Sequence, residues 1–378
     1  MSSLLDELRR APPADEAALK TLLGERTPPL PERDGLLFLW YGQADEVLLH
    51  HWVAGLESAV PFERLPKSDV WWCRLQLPPR SRIEYKLEIR RGEQHELVRD
   101  PANPHLATDP FGANSVAAGE GYERPDFSLE QDGVPSGELL VKDFHSDALG
   151  GGRRVTVYTP PHYRESARYP LLVVHDGSDY LRHASLATVL DNLIARLEIP
   201  PMIVACVDPG DRLAEYAADP RHDRFIVNEL LPALQARFPL VDRPGARGIM
   251  GASFGAVATL ATAWRHPNVF GRVLLQSGSF AFTDIGKHDK GPLFDAVVEF
   301  VNAFRAEPGQ FTSRIFVSCG LYERLIYENR SLVPTLTGTG MAVRFEEARD
   351  GHNWENWRDR LRTGLSWLFP GPLWMVYE

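Results

Sequence analysis

The sequence predicts an α/β protein: a mostly parallel sheet with helices on both faces, preceded by a small antiparallel β-sandwich of immunoglobulin-like type. Three observations carry this reading. From "SGELLVKDFHS" onward, short apolar runs ("YPLLVVHDG", "PMIVACVDPG", "RVLLQSGSF", "SRIFVSCG") alternate with stretches of 3.6-residue apolar period ("SLATVLDNLIARLEI", "RFIVNELLPALQARF"). Before that point the texture is different: "GLLFLWYG", "EVLLHHWV", "VWWCRLQL" and "IEYKLEIRRG" are short, β-branched and aromatic, and are cut by turn residues such as "LPPRS". The length, 378 residues with 44% hydrophobic and 24% charged side chains, is enough for two soluble globular domains.

The elements follow in order. Residues 1–30 form a helical segment, with helices expected over roughly 2–10 and 14–24; the second opens "ADEAALKTLL", with acidic residues in its first turn. Residues 31–136 hold the sandwich, expected to end near residue 100, and a connector, "RDPANPHLATDPFGANSV", whose three prolines leave little periodicity. Residues 137–378 hold the α/β domain, closed by the helix "ENWRDRLRTGLSWLF". A net charge of −10 without a basic block argues against a nucleic-acid surface. The start "MSSLLDELRRAPPADE" lacks the basic-then-apolar order of an export signal, and no apolar run approaches the ~20 residues a membrane span needs. Cys73, Cys206 and Cys319 are odd in number and far apart, which gives neither a disulfide framework nor a zinc pattern. A cytoplasmic protein with reduced thiols, no metal and no cofactor is the expectation; the oligomeric state is not legible.

Within the α/β region one stretch concentrates small residues around a single hydroxyl: "RGIMGASFGAVATLATAWR". Ser253 stands between Gly251 and Gly255, after an apolar strand and before a small-residue helical pattern. A serine on a sharp strand-to-helix turn has unfavourable dihedrals, and bulky neighbours two positions away would collide. The N–H of Phe254, at the start of the helix, would face a developing oxyanion. Such a nucleophile needs a base, which in this arrangement comes after the last strand. "MAVRFEEARDGHNWENW" places His352 there on a glycine-flanked loop; imidazole suits proton transfer near neutral pH. His145 and His175 lie at early strands, where no base is expected. The acid that fixes the imidazole tautomer should follow the preceding strand. Glu323 stands just past "SRIFVSCG", with Glu328 a helical turn on as the alternative and Asp350 too close to His352 in sequence. The chain order Ser, Glu, His is that of α/β hydrolases. A second oxyanion donor is expected from the main chain of Gly177 or Ser178 in "LLVVHDGSDY", and Ser277 and Ser279 in "QSGSF" are expected as pocket or turn residues.

The stretches "DGSDY", "GDRLAEY", "GASFGA", "LLQSGSF", "CGLYERLIYEN" and "DGHNWENWRDRL" resemble the esterase-D-type branch of the α/β hydrolases. With a β-sandwich in front, residues from about 35 to 370 resemble the enterochelin (enterobactin) esterases, which open iron–siderophore lactones. The resemblance implies Ser253 as nucleophile, His352 as base and Glu323 as acid, an early-set sandwich beside the site, and Arg212, Tyr180 and Asn353 as substrate-binding residues. The resemblance also implies that Trp354 and Trp357 buttress the His352 loop; core packing is the other reading for them, and for Arg212 it is an ion pair to Glu215 or Asp211. Arg221 and Arg324 are further cations near these motifs.

The leading expectation is a serine ester hydrolase that works through an acyl-enzyme on a small-molecule ester, most simply a siderophore esterase. Feruloyl or acetyl-xylan esterases share the two-part layout and stand as the alternative. A non-catalytic glycan-binding protein, gripping its ligand through Trp40 and neighbouring aromatics of the sandwich, is the alternative of another class.

Overall fold

The computed structural model describes residues 3–33, 35–283 and 288–372. The closing "GPLWMVYE", whose role the sequence leaves open, lies outside the described residues from Leu373 on. The chain divides into two compact units. The first runs to Glu123 and also takes in Leu321–Arg324 and Ala348–Gly351; the second takes Arg124–Gly320, Leu325–Glu347 and the chain from His352. Among the described residues no helix is long and apolar enough to cross a membrane.

In the first unit, strands Leu30–Glu32, Gly35–Tyr41, Val70–Leu75 and Glu63–Arg64 form one antiparallel sheet. A second sheet lines up Ala59–Pro61, Glu46–His51, Arg82–Arg91, Gly112–Ala118 and Leu106–Asp109, with Gln94–Val98 paired to Arg82–Arg91. Strand Gly35–Tyr41 has five consecutive buried residues because both its faces are covered. Leu36, Phe38 and Trp40 enter the core shared with Val47, Leu49, Trp71, Tyr85 and Leu87. Leu37 and Leu39 turn the other way and meet Leu4, Leu5, Leu8, Leu19 and Leu23 of helices Leu4–Arg10 and Glu16–Leu23. Period 2 on the strand and period 3–4 on the helices thus meet in one apolar layer. The segment expected to be a connector differs from that reading: it supplies two strands of the second sheet. Its prolines, Pro101, Pro104 and Pro110, are exposed, while Asp100, Asn103 and Ser115 are buried in a polar network. Tyr85 OH donates to Asp100 (2.7 Å), Asn103 Nδ2 donates to Tyr85 OH (3.0 Å), and the Asp100 N–H donates to Ser115 Oγ (2.8 Å).

The second unit is built on an eight-stranded sheet: β1 (Glu138–Ser146), β2 (Gly151–Thr159), β3 (Leu171–His175), β4 (Ile203–Val207), β5 (Arg247–Ala252), β6 (Arg272–Gln276), β7 (Arg314–Gly320) and β8 (Ala342–Ala348). Their spatial order is 1-2-4-3-5-6-7-8. β2 runs antiparallel to both β1 and β4, whereas β4, β3, β5, β6 and β7 pair in parallel. Helices α1 (Gly177–His183), α2 (Leu186–Ala195) and α9 (Trp354–Leu368) cover one face. Helices α3 (Arg212–Tyr216), α4 (Pro220–Arg224), α5 (Leu231–Arg237), α6 (Phe254–Arg265), α7 (Asp295–Ala306) and α8 (Ile326–Thr337) complete the unit, with residues of all but α4 in the core on the other face. Both faces being covered is why β3 and β4 read as unbroken apolar runs. Leu171 and Val173 face one core and Leu172 and Val174 the other.

Candidate active site

Three neighbouring strands, β3, β5 and β6, each end on a residue with positive φ. After β3 comes Asp176 (φ 54°), after β5 Ser253 (φ 56°) and after β6 Ser277 (φ 46°). None is glycine, and side chains adopt this region only where surrounding contacts hold them there. Their clustering at the carboxyl ends of parallel strands marks the site, since ligands of such sheets bind there.

Ser253 forms the turn from β5 into α6. Its N–H donates to the Gln276 carbonyl on β6 (2.9 Å), and its own carbonyl accepts from Ala256 N–H (3.1 Å) and Ser279 N–H (3.2 Å). Its hydroxyl is half-buried and stands 3.3 Å from Ser279 Oγ. Gly251 is dictated by space, because a Cβ there would lie 2.3 Å from the Gly255 carbonyl oxygen. A Cβ at Gly255 would meet the Asp176 carboxylate at 3.2 Å. The elbow therefore packs directly on the end of β3. Phe254 opens α6, and its ring lies edge-on against Phe294 (5.3 Å).

His352 precedes α9 and is exposed. Its ring meets Trp357 edge-on (5.1 Å, 89°), and the Trp357 indole N–H donates to Ser277 Oγ (2.9 Å). Trp357 thereby ties the histidine to the strand end beside the elbow. Trp354 meets Trp357 edge-on (4.7 Å, 82°), and both are buried, in keeping with a packing role. Asn353, expected to bind substrate, caps α9 instead: its Oδ1 accepts from the Asn356 N–H (2.9 Å). Tyr180, also expected in the pocket, is fully buried and donates from its hydroxyl to Gln276 Oε1 (2.8 Å). Gln276 Nε2 in turn donates to the Trp357 carbonyl (2.9 Å). The Tyr180 side chain is thus sequestered in the framework, and the Asn353 Oδ1 is engaged in the helix cap while the residue stays half-buried.

Glu323 is buried in Leu321–Arg324, the short segment after β7 that belongs to the first unit. Glu328 lies on α8 and is ion-paired to Lys290. Asp350 is paired with Arg82 (2.9 Å) and accepts the Gly351 N–H (2.7 Å). Of the other histidines, His145 stands exposed on the edge strand β1. His175 is fully buried. Thr259 Oγ1 donates to the Gly255 carbonyl (2.8 Å), so toward His175 Nδ1 (2.9 Å) it accepts. His175 therefore carries its proton on Nδ1 and receives a hydrogen bond at Nε2 from His222 Nε2 (3.0 Å). Burial first, and His222 beside it, push the His175 imidazole well below its ordinary range. It is a neutral framework residue.

Gly177 begins α1, and a Cβ there would lie 2.4 Å from the Cys206 backbone on β4. The Ser178 N–H donates to Asp208 Oδ1 (2.8 Å), and its hydroxyl to Asp208 Oδ2. Arg212 pairs with neither Glu215 nor Asp211. Its guanidinium grips Asp176 with two hydrogen bonds (Nε to Oδ1 2.8 Å, Nη2 to Oδ2 2.7 Å), while Glu215 is taken by Arg153 (2.6 Å). Arg221 pairs with its neighbour Asp219 (2.7 Å), and Arg324 is exposed. Sequence reasoning missed Asp176, Gln276 and Asp208. Each directly follows or ends an apolar strand run, the one signal that could have singled them out.

A strained strand-to-helix serine on a 1-2-4-3-5-6-7-8 sheet, in which β2 runs antiparallel and β4, β3, β5, β6 and β7 run parallel, defines an α/β hydrolase. Residues 146–368 match the esterase family described as "Putative esterase". The chain belongs to that family and is a carboxylic ester hydrolase. It is 25% identical over 399 residues to the Iron(III) enterobactin esterase of Dickeya dadantii, covering 92% of this chain and 86% of that one. With the Iron(III) enterobactin esterase of Escherichia coli K12 it shares 27% over 339 residues, 80% of each chain. The crystal structure of the enterobactin esterase from Shigella flexneri in the presence of enterobactin shares the fold, with a TM-score of 0.77 at 21% identity over 97% of this chain and 99% of that one.

Proposed function

We propose that this protein is a siderophore esterase of the enterobactin type, using Ser253 as nucleophile, His352 as base and Glu323 as the acid that orients it. The observation that carries the reading is Ser253 itself, held at φ 56° with glycines two positions away on either side. As Ser253 Oγ attacks the ester carbonyl, its proton passes to His352 and the carbonyl oxygen becomes an oxyanion. The Phe254 N–H at the start of α6 receives that charge. The second donor we assign to the Gly177 N–H, since the Ser178 N–H already donates to Asp208. Such a donor contributes ~3 kcal/mol to the transition state. Collapse expels the alcohol, protonated by His352, and leaves the acyl-enzyme. Water then attacks, again through His352, to give the acid and restore the Ser253 hydroxyl. The substrate class follows the relatives, which span both units of this chain and are enterobactin esterases by name.

Two measurements test this. Wild type is expected to hydrolyse p-nitrophenyl acetate and Ser253→Ala to lose at least about 10³-fold in kcat; equal rates would end the nucleophile assignment. Turnover is then compared on ferric enterobactin, a feruloylated arabinoxylan fragment and short-chain p-nitrophenyl esters. The highest kcat/KM is expected on the siderophore, and a preference for the feruloyl ester would move the protein to the carbohydrate esterases.

A further inference from the structure

Asp176 is a closely held residue at the strand ends to which no chemical role has been assigned. It follows β3, is 2% exposed and sits in the left-handed region at φ 54°, ψ 43°. Four polar contacts hold it there. Arg212 donates twice to its carboxylate (2.8 and 2.7 Å), its N–H donates to Tyr216 OH (3.1 Å), and its carbonyl accepts the Tyr180 N–H inside α1 (3.0 Å). The Arg212 guanidinium also lies 5.6 Å from the centre of the Tyr216 ring, so α3 contributes both the cation and the phenol that grip the turn. A buried left-handed non-glycine residue persists only when its neighbours over-determine it. Here the neighbours come from 36 and 40 residues further along the chain.

The next residue is Gly177. On the other side, Asp176 Oδ2 is the atom against which a Cβ at Gly255 would press (3.2 Å). One carboxylate thus touches the nucleophile elbow and directs the backbone that leads into the Gly177–Ser178 turn. We propose that the Arg212–Asp176 pair is a positioning device that fixes the second oxyanion donor at its distance from Ser253. Arg212 on this view acts through Asp176 and does not bind the substrate. The proposal rests on the reading of Ser253 as nucleophile. A donor displaced by a fraction of an ångström receives the developing charge less well, although the substrate still binds, so the loss falls on kcat.

The test uses the full chain and a neutral ester, p-nitrophenyl acetate, beside an anionic one. A fluorophosphonate probe with peptide mass mapping first establishes whether Ser253 is the reactive serine; if it is not labelled in wild type, the catalytic reading fails and this proposal with it. With Ser253 labelled, Arg212→Gln and Asp176→Asn are each expected to lower kcat on p-nitrophenyl acetate about 10- to 100-fold, with KM within about twofold. The double variant should lose no more than the worse single one, and Arg212→Lys should recover part of the rate through one hydrogen bond. Arg212 is one-third exposed, so its variants carry the test even if Asp176→Asn fails to fold. Unchanged kcat on the neutral ester in Arg212→Gln, with KM raised on the anionic ester alone, would overturn the proposal and make Arg212 a substrate contact. Additive losses in the double variant would overturn it as well.

Discussion

A methyl group added at Gly177 would lie 2.4 Å from the Cys206 Cα on β4, far inside any nonbonded carbon contact. Strand and turn would have to separate, in a region where Cys206 and its neighbours Ala205 and Val207 are fully buried. Gly177→Ala is therefore expected to cost about 1–3 kcal/mol, the usual range for overpacking, read as a lowered urea midpoint at unchanged m-value. Glu215 lies on the same short helix as Arg212 and Tyr216, and its carboxyl is the group expected to set acid sensitivity there. Burial alone would raise its carboxyl pKa, but His222 (3.7 Å) and Arg153 (2.6 Å) more than offset that and bring it from the usual 4.5 to about 2. A carboxyl depressed in the folded state stabilises it above the unfolded pKa, and that stabilisation is lost as pH falls from about 4.5 to about 2. Glu215→Gln is expected to be less stable at neutral pH by on the order of 2–3 kcal/mol and to show a flatter fall of Tm across that acid window. A parallel pair of Tm–pH curves would refute the assignment.

Among the elements, the β5–α6 elbow was legible because geometry writes itself into composition there: only small residues fit at 251 and 255. The ends of β3 and β6 were not, although their backbones do the same thing. Asp176 and Ser277 are ordinary turn residues by sequence, and what holds Asp176 left-handed is Arg212, a residue local reasoning cannot pair with it. Tyr180 and Asn353 show the converse: motif residues beside the site whose side chains the fold uses for bracing and capping. In the sandwich the strand Gly35–Tyr41 was readable, but its second apolar face was not, because the cover comes from two helices separated from it by loop. Those helices are short, seven and eight residues, and hold their place by packing more than by propensity. Leu8, 0% exposed at the centre of that layer, is the position to test. Leu8→Ala should destabilise by about 2–4 kcal/mol, measured by urea unfolding. A loss under about half a kcal/mol would mean that the helices are dispensable to the sheet they cover.

At the scale of the whole chain, the first unit is assembled from three separate stretches, two of them short and late in the sequence. Leu321–Arg324 contains Glu323, and Ala348–Gly351 runs directly into His352. Within that unit the stretches are joined by main-chain bonds, Ala54 N–H to the Tyr322 carbonyl (2.7 Å), Tyr322 N–H to Asp350 (3.0 Å) and Arg82 N–H to Arg349 (2.9 Å). They are also joined by one buried ion pair, Arg82 Nε to Asp350 Oδ2 at 2.9 Å, with the arginine 0% exposed and Glu84 on its far side at 3.0 Å. Sequence alone placed Asp350 too near His352 to serve it and could not see that its partner lies 268 positions earlier. Truncating one member of such a pair leaves the other charge buried without its counter-ion, which costs about 3–5 kcal/mol. Arg82→Met is expected to lose that much in urea unfolding and to lower kcat on p-nitrophenyl acetate, because the segment leading into His352 loses its anchor. Adding Asp350→Asn removes one of the two carboxylates left behind, Glu84 being the other, so part of the stability should return. The rate should stay depressed, since the amide does not restore the guanidinium's hold on the segment. Recovery of both in the double variant would mean that the pair contributes stability alone.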